Sequence, residues 1–316
     1  MSDTLLAVVF ALCAACCIAV GAVVRQRVAA TIGDDQLGRL GAIDSLVRRP
    51  SWWLGTVVGV LGYVFQAAAL GRGSVLLVQP LLVLSLLFAL PLSARFAGHA
   101  VGRAQWIWAG LLTAAVAVLV VVGDPRPGRQ HAELQHWLIV AAVAIPLVTI
   151  GLLLARRPGP RRALLLGVIS GALFGFAAIL TKGVVATAGH GVVAVLGSAE
   201  TYALAVIGLS ATALQQNAYQ AGALQLSLPA ATVAEPLVAS LLGFLVLGEY
   251  LHVDAALVAV LVIAAVVMVV AAIQLARDAA TPTPRPATAQ TGNPQAANSR
   301  TRVAGVFQPK SRSSSS

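Results

Sequence analysis

The sequence predicts an all-α, polytopic membrane protein of about nine transmembrane helices arranged as two inverted repeats. The chain is 59% hydrophobic and only 10% charged, with a mean hydropathy of +0.88, whereas soluble domains carry about 25% charged residues. Apolar windows of about 20 residues, enough to cross a hydrocarbon core of roughly 30 Å, recur along it. A short motif ending in Pro-Leu occurs once in each half.

The windows run over 3–24, 52–71, 74–94, 104–123, 136–155, 163–182, 200–221, 228–248 and 253–275. The first has the flank "MSDT", with an acid and no Lys or Arg, and lacks a convincing cleavage site. It is therefore expected to stay as helix 1 rather than leave as a signal peptide. Cys13, Cys16 and Cys17 share one face of that helix without a His or carboxylate beside them, and read as small packing residues. The transmembrane domain is expected over 1–277. Its first repeat covers about 3–123, a linking helix about 136–155, and its second repeat about 163–275. From 278 to 316 the chain is rich in Pro, Thr, Ala, Gln and Ser and is expected to be a disordered cytoplasmic tail.

The net charge of +10 does not point to nucleic acid, because the cations sit in loops and tail, where they set orientation. With the N-terminus outside, 17 of the 21 Lys and Arg residues fall in inner segments, and only Arg72, Arg126, Arg129 and Lys182 fall outside. N-out, C-in is the expected topology in the cell membrane. A ten-helix alternative would place 28–47 in the bilayer, against the charges of Asp34, Asp35, Arg39 and Asp44.

The repeat is visible in "QAAALGRGSVLLVQPL" (66–81) and "QAGALQLSLPAATVAEPL" (220–237). Both share QA-x-AL, a short breaker region and an amide or acid before Pro-Leu. Small residues every four positions, at Cys13, Cys17 and Gly21 and at Gly167, Gly171 and Gly175, match helix 1 to helix 6. An offset of five helices is odd, so the halves cross in opposite senses, an arrangement found in secondary transporters whose solute sites lie near the midplane.

These features resemble the drug/metabolite transporter superfamily, through "AAALGRGSVLLVQPLLVLSLLFALPL" in one half and "PAATVAEPLVASLLGFLVLGE" in the other. The segment "SWWLGTVVGVLGYVFQAAAL", following a charged cytoplasmic stretch, is similar to the magnesium-transporter-like branch, and Leu247-Gly248-Glu249 looks like the end of the superfamily's paired helix. The first half departs from that pattern, ending in "ALPLSARF". The resemblance implies an ion-coupled or solute-driven transporter, and its nearest branch implies Mg²⁺, which prefers oxygen ligands in octahedral array.

Glu235 is the one acid well inside an expected span. Placed seven residues into a helix starting near 228, it is the candidate coupling or binding residue, since a buried charge normally faces a cavity or a partner. The alternative is a local polar cluster with Thr232 or a snorkelling side chain. Pro236 and Pro80 are expected kinks that free the carbonyls of Thr232 and Leu76. Gln79 takes the place of Glu235 in the first copy. Gln216, Asn217 and Gln220 form a polar stripe on helix 7, and Gln66 corresponds to Gln220. The candidate site is thus Glu235, Gln79, Gln216, Asn217, Gln220, Thr232 and Gln66.

Lys182 is expected to snorkel to the outer interface, with Glu200 and Tyr202 also interfacial. Glu249, His252 and Asp254 are expected in an exposed polar turn, with a divalent-cation site as the sharper alternative. No phosphate-cradling loop or nucleophile–base pair is present, so the chain reads as neither an enzyme nor a cofactor binder. The expected partners are a small-molecule or ion substrate, membrane lipid and a second copy meeting through Gly-rich helix faces such as Gly55 and Gly59. Secondary transport of a small polar metabolite or cation is the leading expectation. Export of an amphipathic solute is disfavoured by 5% aromatic content, and a non-transporting scaffold or envelope-assembly subunit is the remaining alternative.

Overall fold

The computed structural model describes residues 3–30, 49–97, 100–131, 133–221 and 224–280. Its helices are α1 (Asp3–Ala30), α2 (Pro50–Leu70), α3 (Val75–Val83), α4 (Ser85–Ala97), α5 (Arg103–Val121), α6 (Leu134–Leu154), α7 (Pro160–Ala188), α8 (Val192–Gly197), α9 (Ala199–Gln220), α10 (Leu224–Val246) and α11 (Val258–Ala280), the last preceded by a 3₁₀ turn, Ala255–Leu257. Strands β1 (Pro125–Arg126) and β2 (Tyr250–Leu251) pair antiparallel. The all-α class and the membrane character follow directly. The expected tail and the alternative span at 28–47 lie largely outside the described residues.

Local chemistry fixes the helix ends. Pro50 and Pro160 stand in the first turns of α2 and α7, where a missing N–H leaves no bond unmade. Ser74 caps α3, its hydroxyl accepting from Leu77 N at 3.1 Å. The third expected span is divided: Leu84 N bonds Leu81 O at 3.1 Å, three residues back, and the ladder restarts as α4.

Among the described residues, eight helical spans are long and apolar enough to cross a membrane, one fewer than expected. The stretch expected at 200–221 does fold, as α9, but Glu200, Gln215, Gln216, Asn217 and Gln220 dilute its apolar face. Several helices also outrun the windows. α1 includes Arg25 and Arg27, and α7 continues six residues beyond Lys182. Composition ends a window at a charge, whereas a helix continues where the charge finds a partner.

Glycine permits the closest helix contacts. An added Cβ at Gly21 would stand 2.8 Å from the backbone of Gly55 and Gly59 in α2. At Gly167 and Gly175 it would meet the carbonyl oxygens of Ser227 and Glu235 in α10 at 2.6 and 2.8 Å, and Gly171 lies as tightly against Ala231. The contacts of these Gly-rich faces therefore lie within the chain. The core gathers Leu70, Val75, Val78, Leu112, Val246 and Ala271, from α2, α3, α5, α10 and α11. None of the residues described in α6 is buried.

Candidate functional site

Two polar centres lie in the apolar bundle. The first is Glu235. Because α10 begins at Leu224 rather than near 228, Glu235 is the twelfth of 23 residues, about 16 Å from either end at about 1.5 Å per residue. It is deeper than the sequence indicated. Its side chain is partly buried, and among the described residues its carboxylate has no hydrogen-bond partner. Tyr63 of α2 is 55% exposed and Tyr219 of α9 is half-buried, and no hydrogen bond joins either to Glu235 among the described residues. The Arg25 guanidinium lies over Gly59, where a Cβ would come within 2.9 Å of it.

The other predicted residues divide around this centre. Thr232 donates its hydroxyl to Leu228 O at 2.9 Å, one turn back on its own helix. It is not hydrogen-bonded to Glu235, so the alternative of a local cluster between the two does not form. Pro236 leaves the Thr232 carbonyl without its helical donor, and a cavity of about 10 Å³ lies beside these two residues, room for about one water. Gln79 is 1% exposed and its Nε2 lacks a partner among the described residues. Gln66 is also buried, whereas Gln216, Asn217 and Gln220 are exposed. Asn217 donates back to Ala213 O at 2.9 Å. No hydrogen bond joins these residues into one set among the described residues.

The second centre overturns two expectations. Lys182 does not snorkel and Glu249 does not lie in an exposed turn. Each is 1% exposed, and Lys182 Nζ donates to Glu249 Oε1 at 2.5 Å and to Gly73 O at 3.2 Å. The same carboxylate accepts from Val75 N at 2.9 Å and Leu76 N at 3.0 Å. These are free donors at the start of α3, where a negative charge also complements the helix dipole. Gly248, at φ +63, makes the turn that delivers Glu249 to this position. His252 and Asp254 are exposed. No group of three or more His, Cys, Asp or Glu side chains forms a metal-ligand set among the described residues.

Around this pair the loops of one end of the bundle converge, and that end is called the seam. β1 pairs with β2 through Pro125↔Leu251 and Arg126↔Tyr250. Arg129 N donates to Leu247 O at 2.7 Å and His252 N to Asp124 O at 3.3 Å. Glu200 lies 3.2 Å from His131 Nδ1, while Tyr202 is exposed and donates to Leu196 O. A cavity of about 550 Å³ opens here, lined by Asp3, Arg72, Ser74, Leu77, Gln130 and Lys182 among others. Arg72 stacks over Phe10, 5.2 Å from the ring centre.

Sequence reasoning missed Tyr63, Tyr219 and Arg25. A signal was present for Tyr63, since the chain has only four tyrosines and this one interrupts an otherwise apolar window, whereas Tyr219 stands among Gln215, Gln216, Asn217 and Gln220. Chemically, the mid-bundle centre offers the Glu235 carboxylate, able to hold a cation or a polar group of a small solute. The seam group gives its carboxylate three donors, two on Oε1 and one on Oε2, and its geometry is that of a fastening.

An uncharacterized protein of Corynebacterium glutamicum is 43% identical over 284 residues, covering 89% of this chain and 98% of that protein. No family model matches the chain. No solved structure matches it.

Proposed function

We propose that this chain, which belongs to the same family as the Corynebacterium glutamicum protein, is an integral membrane secondary transporter of a small polar metabolite or a cation, with its solute site at Glu235. The observation that carries this reading is a carboxylate at the middle of a spanning helix, partly open and without a hydrogen-bond partner among the described residues. A charge at that depth on a helix is expensive unless it lines a hydrated path or meets a ligand.

The two motif copies place Gln79-Pro80 on α3 and Glu235-Pro236 on α10, which supports inverted halves of the drug/metabolite transporter kind, with alternating access between them. The seam is the outer end and the N-terminus is outside the cell membrane, in accord with the uneven distribution of Lys and Arg. Glu235 then serves as the group that binds the solute or its coupling ion.

Uptake by proteoliposomes tests the reading, with amino acids, cationic dyes and Mg²⁺ supplied in turn under an imposed ion gradient. The wild-type chain is expected to accumulate one class of solute, and Glu235→Gln to abolish that accumulation at equal protein incorporation. Uptake by Glu235→Gln at the wild-type rate would remove Glu235 from the mechanism. A folded wild-type chain that moves none of the panel, and copurifies with a stable partner, would favour the scaffold instead.

A further inference from the structure

We infer that Lys182 and Glu249 are the seam-end gate of the molecule, held shut here, and that α3 is the element their separation releases. The word gate rests on the transporter reading. The closure itself does not.

The ion pair joins three separate stretches of chain. Lys182 belongs to α7, Glu249 follows α10, and their shared partners Gly73, Val75 and Leu76 lead into α3. Three of the four contacts cross from the first half of the sequence to the second, and the fourth joins Lys182 to Glu249 within the second half. A local cap would bond its own helix; this carboxylate instead caps a helix 173 and 174 residues away in sequence. Moving α3 relative to α7 and α10 therefore requires that Glu249 let go.

The surroundings make release feasible as well as costly. Lys182 lines the 550 Å³ cavity together with Gly73, Ser74 and Leu77, the residues that flank Val75 and Leu76, so water in it can take up the released ammonium rather than leaving it unsatisfied in hydrocarbon. The strap over the pair is light: two residues of β1 against two of β2, exposed at Arg126, Tyr250 and Leu251. By contrast Gln79, one turn further along α3 than Leu76, is sealed, while Glu235 remains partly open. The molecule is shut between the seam cavity and the middle of the bundle. The pair sits at that boundary.

The test uses the full chain with its three native cysteines changed to alanine and a single reporter, Val78→Cys, at a position that is fully buried beyond the pair. A membrane-impermeant maleimide is applied from the seam side. With Lys182 and Glu249 intact, labelling is expected to be slow. Glu249→Gln should raise its rate about tenfold or more, the population change produced by about 1.4 kcal/mol of lost closure. The double variant Lys182→Met/Glu249→Gln carries no unpaired buried charge and serves where the single variant does not fold. A folded variant of either kind that labels as slowly as the parent overturns the gate.

Hydrogen exchange on the wild-type chain gives an independent answer. The amides of Val75 and Leu76 are expected to exchange faster than those of Leu81, Leu82 and Val83 in the same helix. Equal protection at both ends of α3 also overturns the proposal. If labelling rises in a chain that transports none of the uptake panel, the opening of the seam stands and the transporter reading falls. If uptake is intact but labelling is unchanged, the gate alone falls.

Discussion

Glu235 and Glu249 lie fourteen residues apart at the middle and just beyond the end of one helix, yet they live under opposite rules. Glu249 is 1% exposed and accepts from two backbone N–H groups and an ammonium. Glu235 is partly exposed and has no hydrogen-bond partner among the described residues. The difference separates two reasons for a carboxylate in an apolar protein. Three donors supplied by the fold offset the burial of Glu249, whereas no fold-supplied donor reaches Glu235 among the described residues.

The same substitution at the two sites is the strongest way to break this comparison. Glu249→Gln strands the Lys182 ammonium and should lower stability by about 3–5 kcal/mol, as loss of one partner of a buried pair does. Glu235→Gln should change it by less than about 1 kcal/mol, within the range of substitutions that disturb no contact. Thermal unfolding in detergent measures both, and equal shifts would erase the distinction.

The packing behind each site gives smaller effects. Gly175→Ala would drive a methyl into the Glu235 carbonyl oxygen and is expected to cost about 1–3 kcal/mol. Gly110→Ala meets nothing within 4 Å and should be neutral or stabilising by about 0.5–1 kcal/mol. Denaturant titration of the pair separates close packing from helix propensity. At the Glu249 site, Gly248→Ala imposes a side chain on φ +63 with no clash around it, so backbone strain alone should remove about 1–2 kcal/mol. The smallest effect sharpens the contrast from the surface. Arg126→Ala breaks an exposed bridge to Asp124 of 2.6 Å and should shift stability by less than about 1 kcal/mol, seen as an almost unchanged unfolding midpoint.

The sequence made one of these carboxylates readable and hid the other. Glu235 stands alone in an apolar run, so hydropathy exposes it without any tertiary knowledge. Glu249 stands beside Tyr250, His252 and Asp254, in a stretch that local reasoning assigns to a wet turn. Its partner Lys182 is 67 residues away and falls at the edge of its own apolar window. Only packing brings the two together, and only packing shows that both are dry. The helices themselves were legible because apolar runs of spanning length constrain the fold strongly. The surroundings of Glu235 were not, since which side chains of other helices come near it depends on packing that no single window contains.

α6 leaves a different mark. A span of 21 residues with none of its described residues buried contributes length and hydropathy to the molecule but almost no shape. Insertion into the bilayer, rather than assembly of the bundle, is what its sequence must satisfy. Such a segment is free to exchange one large aliphatic residue for another over evolutionary time, while α7, pinned by Gly167, Gly171 and Gly175, is not. Unequal drift between these neighbouring helices would record which of them is held by lipid and which by protein.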